Sequence, residues 1–185
     1  MTGQVRFHGQ TETRAPAYHL LVDGGASLSH GLGHETQEAF LDFVKAWKGH
    51  HGLRGSILMS RNQSWGPELW STWLEGLERE SPGTVILLSD FHGPLPDGPL
   101  WKVLTSRFWL RVIRFVHPRP NLATRGEFLD SSSHQRHLYE PGAFDKAYGT
   151  WEEGLESFFR KAGIDESLLD QDSVEAMAGA FIKLI

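Results

Sequence analysis

Four short runs of this chain, 17–22, 56–60, 84–89 and 109–116, are apolar almost throughout, where a strand with one wet face would alternate apolar and polar residues. Such runs suit parallel strands buried on both faces, and parallel strands need crossover connections, usually helices, between them. The intervening segments supply those helices. Ala39, Phe40, Phe43, Val44 and Trp47 recur at helical spacing within 35–49. Leu69, Trp70, Trp73, Leu74 and Leu77 do the same after Pro67, a residue suited to a first helical turn. Pro82-Gly83 ends that second helix, and a short third one is expected over 100–106. A weaker fifth strand is read at 126–130. The remainder reads as helical, first Pro141–Ala162 with Gly163 as its stop, then 172–184. This order predicts an α/β fold with a mainly parallel sheet and right-handed crossovers.

The chain has 185 residues, which fits one domain over 17–185 preceded by a loose or edge-forming segment, 1–16. With no cysteine, disulfides, thiol nucleophiles and thiolate metal sites are excluded. No apolar run reaches the roughly 18–20 residues that cross a bilayer, and no basic-then-apolar leader opens the sequence, so no membrane insertion and a cytoplasmic location are expected. The formal net charge is −5, and residues 126–185 carry five basic against twelve acidic side chains. Arg107, Arg111, Arg114, Arg119 and Arg125 are the one basic concentration. Arg111 and Arg114 stand three apart on a strand and so point to opposite faces. The converging phosphate contacts that nucleic-acid binding needs are therefore not expected.

In a doubly wound sheet, ligands bind beyond the carboxyl ends of the strands, where the strand order reverses. Two of the predicted strands end there in an acid, at Asp23 and Asp90. Asp23 opens Asp23-Gly24-Gly25-Ala26-Ser27-Leu28-Ser29-His30-Gly31, and Asp90 lies in Ser89-Asp90-Phe91. Two carboxylates with nearby hydroxyls form an oxygen-rich set of the kind hard cations such as Mg²⁺ prefer. Either acid is equally suited to capping the helix that follows its strand.

These motifs resemble those of the bacterial von Willebrand factor A-like proteins commonly encoded beside MoxR-type AAA+ ATPases. There the first strand runs into Asp-x-Ser-x-Ser-Met-x-x-Gly, in register with 23–31 here, and a later strand ends in Ser-Asp-Phe. The stretch 139–169, containing Phe158-Phe159-Arg160-Lys161-Ala162-Gly163-Ile164-Asp165, also resembles the family's ending. The resemblance implies a three-layer, Rossmann-like fold and a metal-ion-dependent adhesion site in which Asp23, Ser27 and Asp90 surround Mg²⁺ or Mn²⁺. It implies a non-catalytic protein-interaction module whose partner is an AAA+ ATPase or a client that it matures. Three departures stand out. Gly25 replaces the first motif serine. Ser64 is the nearest substitute for a threonine often present after the second strand. His117-Pro118 stands where the family tends to carry Asp-Pro.

Trp65 and Trp101 fall at loop–helix junctions near the strand ends and, with Ser64, are candidate partner-binding residues, since interfaces favour aromatic anchors. The rival reading is an enzyme, a Mg²⁺-dependent phosphoryl-transfer or hydrolytic site on the same carboxylates. No phosphate loop of the Gly-x-x-x-x-Gly-Lys type is present to support it. Gly25-Ala26-Ser27-Leu28-Ser29 starts like a nucleophile elbow with Ser29 in place of the second glycine, and His92 or His117 near the strand ends would be the base. The pairs His30/His34 and His134/His137 have helical ligand spacing without an evident third ligand, and read as surface histidines.

Overall fold

The computed structural model describes residues 17–25, 28, 31–60, 67–92, 98–117, 126–129 and 135–185. The segment 1–16 lies outside them. The elements are β1 (Tyr18–Val22), α1 (His34–His50), β2 (Ile57–Met59), α2 (Pro67–Glu78), β3 (Thr84–Ser89), α3 (Gly98–Arg107), β4 (Trp109–Phe115), β5 (Gly126–Leu129), β6 (Arg136–Tyr139), α4 (Pro141–Ala162), β7 (Asp165–Leu169) and α5 (Val174–Lys183). Five strands form one parallel sheet in the order β2-β1-β3-β4-β7. This is an α/β, Rossmann-like arrangement, and its order reverses between β1 and β3.

Alternation along the central strands divides the core in two. Leu20, Val22, Ile86, Leu88, Ile113 and Phe115 face α1 and α5, packing on Phe40, Val44, Met177 and Phe181. Leu21, Val85, Leu87, Leu110 and Val112 face α2, α3 and α4, packing on Trp70, Trp73, Leu104 and Phe159. All six residues of β3 are buried. Each fully buried aliphatic side chain contributes about 1.5–3 kcal/mol, so β1, β3 and β4 carry much of the drive to fold. The opposite faces expected for Arg111 and Arg114 are observed. Arg111 reaches the Leu184 carbonyl on the α5 side, whereas Arg114 reaches Glu152 and Glu156 of α4 and Glu166 of β7.

The C-terminal third departs from the expectation. The strand read at 126–130 does not join the main sheet; as β5 it pairs antiparallel with β6, a strand the sequence pattern does not announce. The fifth strand of the main sheet is instead β7, within a stretch expected to lead from one helix to the next. Gly163 does end α4, in the left-handed conformation with φ 66°. The chain then runs out along β4, pairing Arg111 with Asp165 and Phe115 with Leu169. Asp165-Glu166-Ser167-Leu168-Leu169 is an edge strand with a half-polar face, so it lacks the apolar signature of the buried strands.

His19 fastens β1 to its neighbours. Its side chain is 1% exposed. The Ser56 N–H donates to Nδ1 at 3.2 Å, which leaves Nε2–H to donate to the Ser81 carbonyl at 3.0 Å. Burial holds this imidazole below its ordinary value, against the Ser81 carbonyl and the Glu80 charge, which pull upward. The native state thus favours the neutral ring, while the unfolded chain takes up a proton near pH ~6.5. The His19 contribution to stability is present above that pH and is lost as the pH falls through the depressed native value. Urea unfolding at pH 7.5 and 5.5 should show lower stability at the acid pH, with a shallower dependence in His19→Gln. Identical slopes for the two proteins would contradict this assignment.

Candidate functional site

The site is built where β1, β3 and β4 run out side by side. The β1 ladder continues one residue past the strand, the Asp23 N–H donating to Leu88 O at 2.9 Å, which brings the Asp23 carboxylate over the end of β3. That carboxylate is 1% exposed. Its Oδ1 accepts from the Gly25 N–H at 2.8 Å and its Oδ2 from the Ser89 hydroxyl at 2.7 Å. The Ser89 oxygen in turn accepts from the Phe91 N–H at 2.9 Å. On the other side, the Gly24 N–H donates to Ser60 Oγ at 2.9 Å. Burial pushes the Asp23 carboxyl above its ordinary value; the Ser89 and Gly25 bonds pull it down, and the Asp90 charge pushes it up again.

Phe91 has φ 58°, which is uncommon for a bulky residue and costs on the order of 1–3 kcal/mol. Its ring, fully buried, lies 5.1 Å from that of Phe159, and this packing holds the turn. With Phe91 dropped into the core, the buried Asp90 carboxylate and the partly exposed His92 come together beside it. Asp90 Oδ1 accepts from the His92 N–H at 3.1 Å, and Asp90 Oδ2 lies 3.5 Å from His92 Nδ1. His117, two residues past β4, brings its Nε2 to 2.9 Å from the same Oδ2.

The two imidazoles are held in place. They stack on each other with centroids 4.9 Å apart and planes 22° apart, and His92 also rests on Trp151 at 4.9 Å. His117 abuts Phe115 at 5.0 Å and the backbone of Gly31. A Cβ on Gly31 would fall 2.7 Å from His117 Cε1, so only glycine admits the ring there. Burial holds His92 below its ordinary value, with Asp90 opposing and His117 and Arg114 adding to the shift. It therefore favours the neutral ring, the form that ligates metals. Asp90, His92 and His117 each offer a ligand atom within 4.8 Å of the others, a group that could hold a metal ion.

Of the residues singled out from sequence, Asp23 and Asp90 stand at the ends of neighbouring strands, but each has its own partners. Ser27, Ser64 and Trp65 lie outside the described residues. Asp23 has both oxygens in internal hydrogen bonds, and a Cβ on Gly25 would stand 3.0 Å from its Oδ1. Trp101 is 7% exposed on α3 and packs on Trp70 and Phe158 at 5.9 and 5.0 Å, inside one of the cores. Sequence reasoning offers His92 and His117 as candidate bases for Ser27, and His117 also as a departure from the family pattern, but not their convergence on Asp90. The available signal was positional, since residues just past two neighbouring parallel strands lie side by side.

Fold and site together define an α/β, Rossmann-like domain with a carboxylate–bis-imidazole group at the carboxyl ends of β3 and β4, beside its switch point. Compared with protein-family models, curated proteins and solved structures, the chain matches none significantly. Among the described residues, no helix is long and apolar enough to cross a membrane.

If the Ser89 hydroxyl ties the ends of β1 and β3 together, Ser89→Ala removes the hydroxyl that donates to the buried Asp23 carboxylate and accepts from the Phe91 N–H. A loss of about 1–3 kcal/mol in urea unfolding is expected, with the circular dichroism of the folded state unchanged. An unaltered midpoint would show that the bond contributes nothing.

Proposed function

We propose that the chain is a non-catalytic protein-interaction module of the von Willebrand factor A type, which meets its partner at the carboxyl ends of β1, β3 and β4. The observation that carries the reading is the convergence of Asp90, His92 and His117 beyond the carboxyl ends of β3 and β4, next to the β1/β3 point where the strand order reverses and such sheets usually bind ligands. Two features support it. The motifs at 23–31 and 89–91 occur in the family's order, and their acids stand at the ends of neighbouring parallel strands. Beside the partly exposed His92 stand Tyr148 and Trp151, aromatic side chains of the kind that anchor interfaces. An ion at such a face would offer a coordination position to an acidic side chain of the partner. That partner is a MoxR-type AAA+ ATPase or one of its clients, and the module acts in protein maturation or complex assembly.

The donor set also favours a second reading. Two histidines and a carboxylate with room for another ligand is a common constellation of metal hydrolases, so a metal-dependent hydrolytic or phosphoryl-transfer enzyme on these strand ends is the alternative. Turnover of a phosphomonoester that disappears in Asp90→Ala would select it over the interaction module.

The interaction reading is tested by biolayer interferometry against the MoxR-type ATPase of the source genome. His92→Ala and Tyr148→Ala should each weaken binding about tenfold or more, ~1.4 kcal/mol. Trp109→Ala, 77% exposed at the opposite end of the sheet, should leave it unchanged. No binding by the wild type, or a loss confined to Trp109→Ala, would overturn the proposal.

A further inference from the structure

We infer that Asp90, His92 and His117 form a site for a divalent ion of the zinc class (Zn²⁺, Co²⁺ or Ni²⁺) that discriminates against Mg²⁺. The inference stands independently of the interaction reading, because it concerns only what these three side chains bind. Imidazole nitrogen suits Zn²⁺, Ni²⁺ and their neighbours, whereas Mg²⁺ demands oxygen ligands in near-ideal octahedral geometry. Here two of the three protein donors are imidazole nitrogens.

The spacing agrees with a small tetrahedral ion. Bonds of about 2.0–2.1 Å set tetrahedral ligand atoms roughly 3.3 Å apart. Asp90 Oδ2 lies 2.9 Å from His117 Nε2 and 3.5 Å from His92 Nδ1, and all three donors fall within 4.8 Å of one another. The ligands are also oriented, as metal ligands generally are. The His92 N–H fixes Asp90 through Oδ1, which directs Oδ2 at the two rings. Phe115 and Gly31 confine His117, and Trp151 backs His92.

Access and charge are compatible with an ion. The side chains of His92 and His117 are 32% and 20% exposed and that of Asp90 is 1% exposed, so the two imidazoles reach solvent while the carboxylate lies beneath them. The nearby buried cation, Arg114, is offset by Glu152, Glu156 and Glu166. Asp23 is not needed as a ligand, since both its oxygens are engaged.

The test is isothermal titration calorimetry of chelator-stripped protein with Zn²⁺, repeated with Mg²⁺ in millimolar excess, alongside the visible absorption of the Co²⁺ complex. The expected result is one Zn²⁺ per chain, undisturbed by Mg²⁺. His92→Ala and His117→Ala should weaken binding at least tenfold, with their folding checked by circular dichroism, and His50→Ala should leave it unchanged. The wild type should also show a Co²⁺ absorption band that Zn²⁺ abolishes and Mg²⁺ does not, a readout that needs no variant to fold. Absence of both heat and absorption, unchanged affinity in folded His92→Ala and His117→Ala, or displacement by Mg²⁺ would each overturn the inference. Zinc-class binding without partner binding would leave this site standing and retire only the interaction module.

Discussion

The Ser89 hydroxyl, donating to the buried Asp23 carboxylate at 2.7 Å, joins the ends of the two strands between which the sheet reverses its order. A carboxylate this deep is costly unless its oxygens are satisfied, and here each accepts a hydrogen bond from within the loops it organises. Ser89 also receives the Phe91 N–H, which helps to set the left-handed turn. That turn drops Phe91 against Phe159 and sets the buried Asp90 carboxylate beside His92 and His117. The geometry of the candidate site therefore depends on a bond in which the site itself takes no part.

This arrangement divides work that the sequence motifs would assign to one cluster. Asp23 acts inside the protein, holding β1 to β3. Asp90 acts at the crevice, facing two imidazoles. In the von Willebrand factor A-like pattern both acids serve one oxygen-rich ion site with the help of loop hydroxyls. Gly25 lacks such a hydroxyl, and His117 brings nitrogen where that pattern tends to place an acid. A change in donor type at so few positions is enough to alter which ion the same strand ends would prefer.

Much of the fold was legible because its central strands are buried on both faces. Runs such as Val85-Ile86-Leu87-Leu88 leave few alternatives, and Gly163 marked the end of α4 as expected. What escaped were β6 and β7, short and half-polar at exposed or edge positions, where no apolar run or alternation announces a strand. β7 is legible only through its pairing with β4, which is tertiary information. The site was half legible. Asp23 and Asp90 were found because strand-end acids in a parallel sheet are conspicuous. His92 and His117 were not recognised as a pair because twenty-four residues and a whole helix–strand unit separate them, and only the neighbouring positions of β3 and β4 bring them together.

The account turns on where an ion binds. A crystal structure of the zinc-soaked protein, with anomalous differences recorded on either side of the zinc absorption edge, tests this most directly. The account predicts one peak about 2.0–2.2 Å from Asp90 Oδ2, His92 Nδ1 and His117 Nε2, with Asp23 still bonded to Ser89 and Gly25. A peak coordinated by Asp23 and loop hydroxyls, or no peak at the strand ends, would contradict it.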